Sequence, residues 1–146
     1  MIIKKYEKTR SFTTQELQNE LGEYFENQAT IKMFPSLAAT KADLTKLIKQ
    51  APLSYLTESQ LSTLNNSDVG IVFNDKNPYR YVIEMAKKYG KNINSIFDGI
   101  ASNKTFPCPL VIKPKTGPLY LMAGNTRLCA FAALNMTLPV KIIVHP

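Results

Sequence analysis

Apolar and polar positions follow two rhythms along this chain, and the change from one to the other falls near residue 102. The first rhythm is helical. Thr13-Thr14-Gln15-Glu16 has the spacing of a capping box and opens a helix expected to run to about residue 28. Leu17, Leu21, Tyr24 and Phe25 recur at helical spacing and form one apolar stripe. Glu16, Glu20, Glu23 and Glu26 fall on the other faces and read as solvated surface. A short extended piece is expected at 31–34. Thr40 with Asp43 caps a second helix to about residue 50, turning Leu44, Leu47 and Ile48 inward, and Pro52 stops it. Thr57 with Gln60 opens a short third helix to about residue 64. Residues 65–68 read as a turn cluster and 69–73 as a short strand. Asn77-Pro78 begins a fourth helix, with Pro at its first position and Gly90 where the left-handed stop belongs. A fifth covers 94–101, with Ile93, Ile96, Phe97 and Ile100 inward.

The second rhythm is that of strands. Pro107, Pro109, Pro114, Pro118 and Pro139 bracket short β-rich runs. Residues 109–113 and 119–123 read as strands joined by a turn at Lys115-Thr116-Gly117, residues 125–134 as a helix, and 140–144 as a final strand. The first ten residues form a basic start or a short strand. The expectation is an α+β fold in one domain over 1–146. A mainly helical portion (1–102) would pack as a layer on a small mixed sheet in a β-β-α-β unit (103–146).

Composition adds exclusions. A chain of 146 residues buries a core without a metal or disulfide framework. Cys108, Cys129 and the single His145 are too few for a structural zinc site, which takes about four ligands. The two cysteines read as small buried hydrophobes. The opening MIIKKYEKTR lacks a signal-peptide core. The apolar run at 128–140 is broken by Asn135, Thr137 and Pro139 and is too short to span a bilayer. These features point to a cytoplasmic protein with no membrane partner. Net charge is +7, and it is unevenly spread. From residue 99 onward Lys104, Lys113, Lys115, Arg127 and Lys141 meet no carboxylate at all. Such a balance favours polyanionic partners.

Arg127 is the only charged residue between Thr116 and Val140. It begins a helix that is apolar all round (Leu128-Cys129-Ala130-Phe131-Ala132-Ala133-Leu134), as buried helices are. A cation at a helix N-terminus opposes the macrodipole. The arrangement makes sense where an anion meets the guanidinium, the helix end and the free N–H groups together. Gly124 allows a sharp turn and close approach. Asn125 or Thr126 can cap the helix or donate to a phosphate oxygen, and Arg127 offers a planar fork. The alternative is purely structural, with Asn125 as a cap and Arg127 paired with a carboxylate such as Glu84 or Asp98.

The stretch Leu119-Tyr120-Leu121-Met122-Ala123-Gly124-Asn125-Thr126-Arg127-Leu128, between Pro109-Leu110-Val111-Ile112 and Pro139-Val140-Lys141-Ile142-Ile143, resembles the ParB/sulfiredoxin superfamily. The spelling is most similar to small stand-alone ParB-like proteins of phages and mobile elements. The resemblance covers about 40 residues, from Pro107 to Val144. It implies a ParB/sulfiredoxin-like fold and nucleotide binding, ATP or CTP with or without Mg²⁺, with Gly124, Asn125, Thr126 and Arg127 around the phosphates. Relatives include CTP-driven partition clamps, ATP-using sulfiredoxins, a free-serine kinase branch and proteins described as nucleases. Departures narrow the branches. Asn125 stands where the sulfiredoxin nucleophile is a cysteine, so that activity is not expected. The second Arg of the turn and the downstream helix-turn-helix of partition proteins are missing, so a full partition clamp is not expected either.

Three functions stay open. One is nucleotide binding in a nucleic-acid context, with Lys87, Lys88, Lys91, Lys113 and Lys115 as phosphate contacts and Tyr79, Tyr81 and Tyr89 near them. Another is ATP- or ADP-dependent phosphoryl transfer, NTP hydrolysis or a ParB-like nuclease, whose general base would come from Glu84, Asp98, Asp75 or Glu58. The last is a non-catalytic phage interaction protein with a degenerate fold. Nucleotide identity, oligomeric state and second substrate are left open by the residues.

Overall fold

The computed structural model describes residues 4–26, 34, 37, 40–66, 70–71, 84, 87–88, 90 and 92–145. Two strands of two residues, β1 (Lys4–Lys5) and β2 (Thr9–Arg10), precede α1 (Thr14–Glu26). Next come α2 (Lys41–Gln50), β3 (Leu53–Tyr55), α3 (Glu58–Thr63), β4 (Asn65–Asn66) and β5 (Gly70–Ile71). α4 (Ile93–Ala101) leads into β6 (Phe106–Pro107), β7 (Leu110–Lys113) and β8 (Tyr120–Ala123). The chain closes with α5 (Asn125–Ala133), β9 (Met136–Thr137) and β10 (Pro139–Val144).

The helix starts follow the capping chemistry. Thr13 Oγ1 accepts from the Glu16 N–H while Glu16 Oε1 accepts from the Thr13 N–H at 2.8 Å. Thr40 with Asp43, and Thr57 with Gln60, close the same reciprocal box on α2 and α3. Asn92 caps α4. Of the fourth expected helix, Glu84, Lys87 and Lys88 are helical and Gly90 turns at φ +63°; the remainder lies outside the described residues, as does the 31–34 piece apart from buried Phe34.

The sheet is mixed, six-stranded and ordered β3-β10-β7-β8-β4-β5. β10 runs parallel to β7 and antiparallel to β3, and β7 is antiparallel to β8. The β-turn-β-α-β order read from the sequence is therefore present. Two expectations are corrected. Asn65-Asn66 is not a turn but a strand, because β8 offers it a free edge at Tyr120. The N-terminal portion is also not a single helical layer: it supplies β3, β4 and β5 to the same sheet, and pairs β1 with β9 and β2 with β6.

Helices cover both faces. Val111, Leu121 and Val140 point into a cluster closed by Leu61 of α3, Ile96 and Phe97 of α4, and Leu128 and Ala132 of α5. Leu110, Ile112 and Ile143 point the other way, under Leu17, Leu21 and Tyr24 of α1 and Leu44 and Ile48 of α2. Burial on both sides explains the unbroken Leu110-Val111-Ile112 run, since alternation is needed only where one face meets water. A third cluster joins Tyr6, Phe106, Phe131 and Leu138. Among the described residues no helix is long and apolar enough to cross a membrane.

Candidate functional site at the β8–α5 turn

The register of β7 and β8 slips next to the turn. Leu110 pairs with Ala123, but Val111 pairs with Leu121, so Met122 is extra on β8. Such a bulge bends its strand and re-aims the residues after it. The strand then gives way to Gly124, with φ +98° and ψ 21°. A Cβ there would lie 2.8 Å from the Pro109 Cβ and 3.1 Å from its Cα. Both the left-handed backbone and the close approach of Pro109 thus require glycine. Gly124 itself holds the N-cap position, which corrects the expectation that Asn125 or Thr126 caps the helix. It brings no side chain, and the first intrahelical bond runs from the Leu128 N–H to the Gly124 carbonyl at 2.9 Å. The N–H groups of 125–127 precede that bond and have no partner within the helix.

Arg127 stands at this end of α5. Leu128, Cys129, Ala130 and Phe131 are buried, as an all-apolar helix demands. The guanidinium is partly buried with them, and its Nε and Nη2 are buried without a hydrogen-bond partner. Phe12, just before α1, places its ring centroid 5.3 Å from the guanidinium carbon. Burial pulls the Arg127 pKa below its ordinary value; Glu20 and Glu16 oppose the shift and Arg10 adds to it. The carboxylates acting on Arg127 are therefore on α1. Glu84 is exposed, and Asp98 is exposed on α4. The charges that act on Arg127 most are those of α1 and Arg10.

Glu16 is already engaged. Arg10 Nη1 and Nη2 donate to its two oxygens at 2.6 and 3.1 Å. That fork, with the Thr13 bonds, lowers the Glu16 pKa to about 2. Glu16 is thus not the merely solvated acid expected from the helical pattern. Arg10 draws it toward β2, and the Arg10 guanidinium partly offsets the carboxylates that act on Arg127. Cys129 is deep in α5, and burial pushes its thiol up to about 12, so it acts as a small apolar side chain.

Of the expected nucleic-acid contacts, Lys113 and Lys115 do not assemble around this turn. Lys113 ends β7, whereas Pro109 at its start is what touches Gly124. Three residues at about 3.4 Å each separate Leu110 from Lys113, and Lys115 lies further along the hairpin. These lysines, which looked adjacent to the turn in sequence, belong to the other end of the strand. Lys87 and Lys88 are exposed; Lys91, Asp75, Tyr79, Tyr81 and Tyr89 lie outside the described residues. Glu58 opens α3 and is exposed. Phe12, Arg10 and Pro109 were not singled out by sequence reasoning. Their signal is weak, since each acts by crossing from a distant segment onto Gly124 or Arg127.

Comparisons with protein-family models, curated proteins and solved structures give no match to this chain.

Proposed function

We propose that the β8–α5 turn binds the phosphate of a nucleotide, with Gly124, Asn125 and Thr126 contributing through the backbone and Arg127 through its fork. The observation that carries this reading is the pair of buried, unpartnered nitrogens on Arg127 at the end of a helix whose N-cap has no side chain. An unsatisfied buried donor costs about 1–3 kcal/mol, so its persistence favours a ligand that satisfies it. A phosphate brings the lone pairs and the charge required. The ParB/sulfiredoxin-like order of strand, turn, helix and strand is consistent with ATP or CTP as that ligand.

Binding without chemistry is the better-supported form. A general base works best with a pKa near the operating pH, and Glu16, next to the site, is held near 2. Phosphoryl transfer, NTP hydrolysis and nuclease action are alternatives for which the candidate bases Glu58, Glu84 and Asp98 are exposed and Asp75 lies outside the described residues. A nucleic-acid role for Lys87, Lys88, Lys113 and Lys115 is a separate proposal, because Lys113 and Lys115 sit away from the turn.

The test is calorimetry and thermal shift with ATP, ADP, CTP and GTP, with and without Mg²⁺, on the wild type and Arg127→Ala. One nucleotide should bind selectively, and the substitution should weaken it at least tenfold. Equal affinity in both proteins removes the turn from the function.

A further inference from the structure

A cavity of about 260 Å³ opens between α1 and α2 at the same end of the sheet as the Gly124 turn. Its floor is made by Cys108 and Leu110 at the start of β7 and by Lys141 of β10. The volume lies below the roughly 300–1,000 Å³ of sites for drug-sized ligands. A nucleotide does not fit inside it; a molecule of a few carbons does.

The lining is not that of a packing defect. Its walls are apolar where Leu17 and Ile48 face it and polar where Thr14, Gln18 and Thr45 do. Its two charged residues, Lys49 and Lys141, are both cations, and no carboxylate lines it. Lys141 is the anomalous member. It occupies a strand position between Leu53 and Leu110, on the sheet face that carries Leu110 and Ile143. Long cations are rarely placed there unless paired. Its Nζ donates to the Ile48 carbonyl at 3.1 Å, in the last turn of α2. That bond uses one of three ammonium hydrogens, which leaves two donors.

Phe12 joins this cavity to the turn. It lines the cavity and also stacks on the Arg127 guanidinium. Cys108 lines the cavity, and the next residue, Pro109, packs on Gly124. An occupant therefore sits one aromatic ring away from the phosphate-binding end of α5.

We infer that the α1–α2 cavity binds a small organic carboxylate, its anionic end on Lys141 and Lys49 and its short apolar body against Leu17 and Ile48. Were the turn to hold a nucleotide, this would be the place of the second ligand. The cavity's own occupancy does not depend on that reading.

The experiment uses three probes of matched length, hexanoate, hexanol and hexylammonium, followed by ¹H–¹⁵N chemical shifts and thermal shift in phosphate-free buffer. Hexanoate should perturb Phe12, Thr45 and Lys49 and bind at least tenfold tighter than the other two. Lys141→Met and Lys49→Gln should each weaken it several-fold. Thr45→Phe, which fills the cavity from α2, should abolish binding even if Lys141→Met proves unstable. Arg127→Met should retain hexanoate binding while losing phosphate. Equal response to all three probes, or hexanoate binding that survives Thr45→Phe, overturns the assignment. Loss of hexanoate binding with Arg127→Met alone places the anion at the turn and also overturns it.

Discussion

Replacing Arg127 by methionine separates a ligand-binding arginine from a structural one. The substitution keeps most of the side chain's length and removes the guanidinium, with its buried Nε and Nη2. Each unsatisfied donor costs about 1–3 kcal/mol; because the group is only partly buried, the relief is nearer 1–3 kcal/mol for the pair. Against this stand the Phe12 contact at 5.3 Å, worth about 0.5–1 kcal/mol, and the attraction of Glu16 and Glu20, partly offset by Arg10 and together worth about 0.2–1 kcal/mol. The net expectation runs from about 1 kcal/mol of destabilisation to about 2 kcal/mol of stabilisation. Urea unfolding in buffer free of phosphate and sulfate reads it directly, as a midpoint raised by up to about 1 M or lowered by no more than about 0.5 M at a slope of about 2 kcal/mol per M. Added phosphate or nucleotide should then stabilise the wild type only, by about 2.7 kcal/mol at a hundredfold excess over Kd. Destabilisation of the unliganded variant by more than about 1 kcal/mol refutes the reasoning, since it shows that the guanidinium holds the fold together.

The same geometry sets four other outcomes. Gly124→Ala combines left-handed strain of about 1–2 kcal/mol with a 2.8 Å clash on Pro109. It should cost about 2–4 kcal/mol by chemical denaturation, and a cost under about 0.5 kcal/mol contradicts the turn geometry. Glu16 has its pKa lowered from 4.5 to about 2. Its contribution is therefore complete above pH 4.5 and lost as pH falls towards 2. With the pair 36–39% exposed, about 1 kcal/mol or less is at stake; Glu16→Gln should flatten the stability profile across that window, and an unchanged profile would count against the pair. Arg10→Ala releases Glu16 and leaves more negative charge near Arg127, so phosphate affinity measured by calorimetry should fall severalfold. In a Cys108→Ala background, the Cys129 thiol should react with a thiol reagent no faster than the protein unfolds, because burial holds its pKa near 12.

Much of the local structure was determined by the sequence alone. Three capping boxes, at Thr13, Thr40 and Thr57, depend on side chains three residues apart, and such contacts close wherever the helix sits. The apolar faces of α1 and α2, the β7–β8 hairpin and the buried α5 with its lone Arg127 were legible for the same reason: periodicity reports burial. What needed the tertiary structure was whatever crosses between segments. Asn65-Asn66 has the composition of a turn and becomes a strand because the edge of β8 is there to pair with. Lys113 and Lys115 are close to Gly124 in the chain, yet an extended strand carries them to its far end. Glu16 looks like any surface acid until Arg10 and Arg127 approach it from two other segments. The glycine was visible as a motif letter, but its necessity comes from Pro109, fifteen positions earlier, which leaves no room for a Cβ. Short-range hydrogen bonding and burial are written locally. The electrostatics of a site depend on distances that only the packed chain fixes.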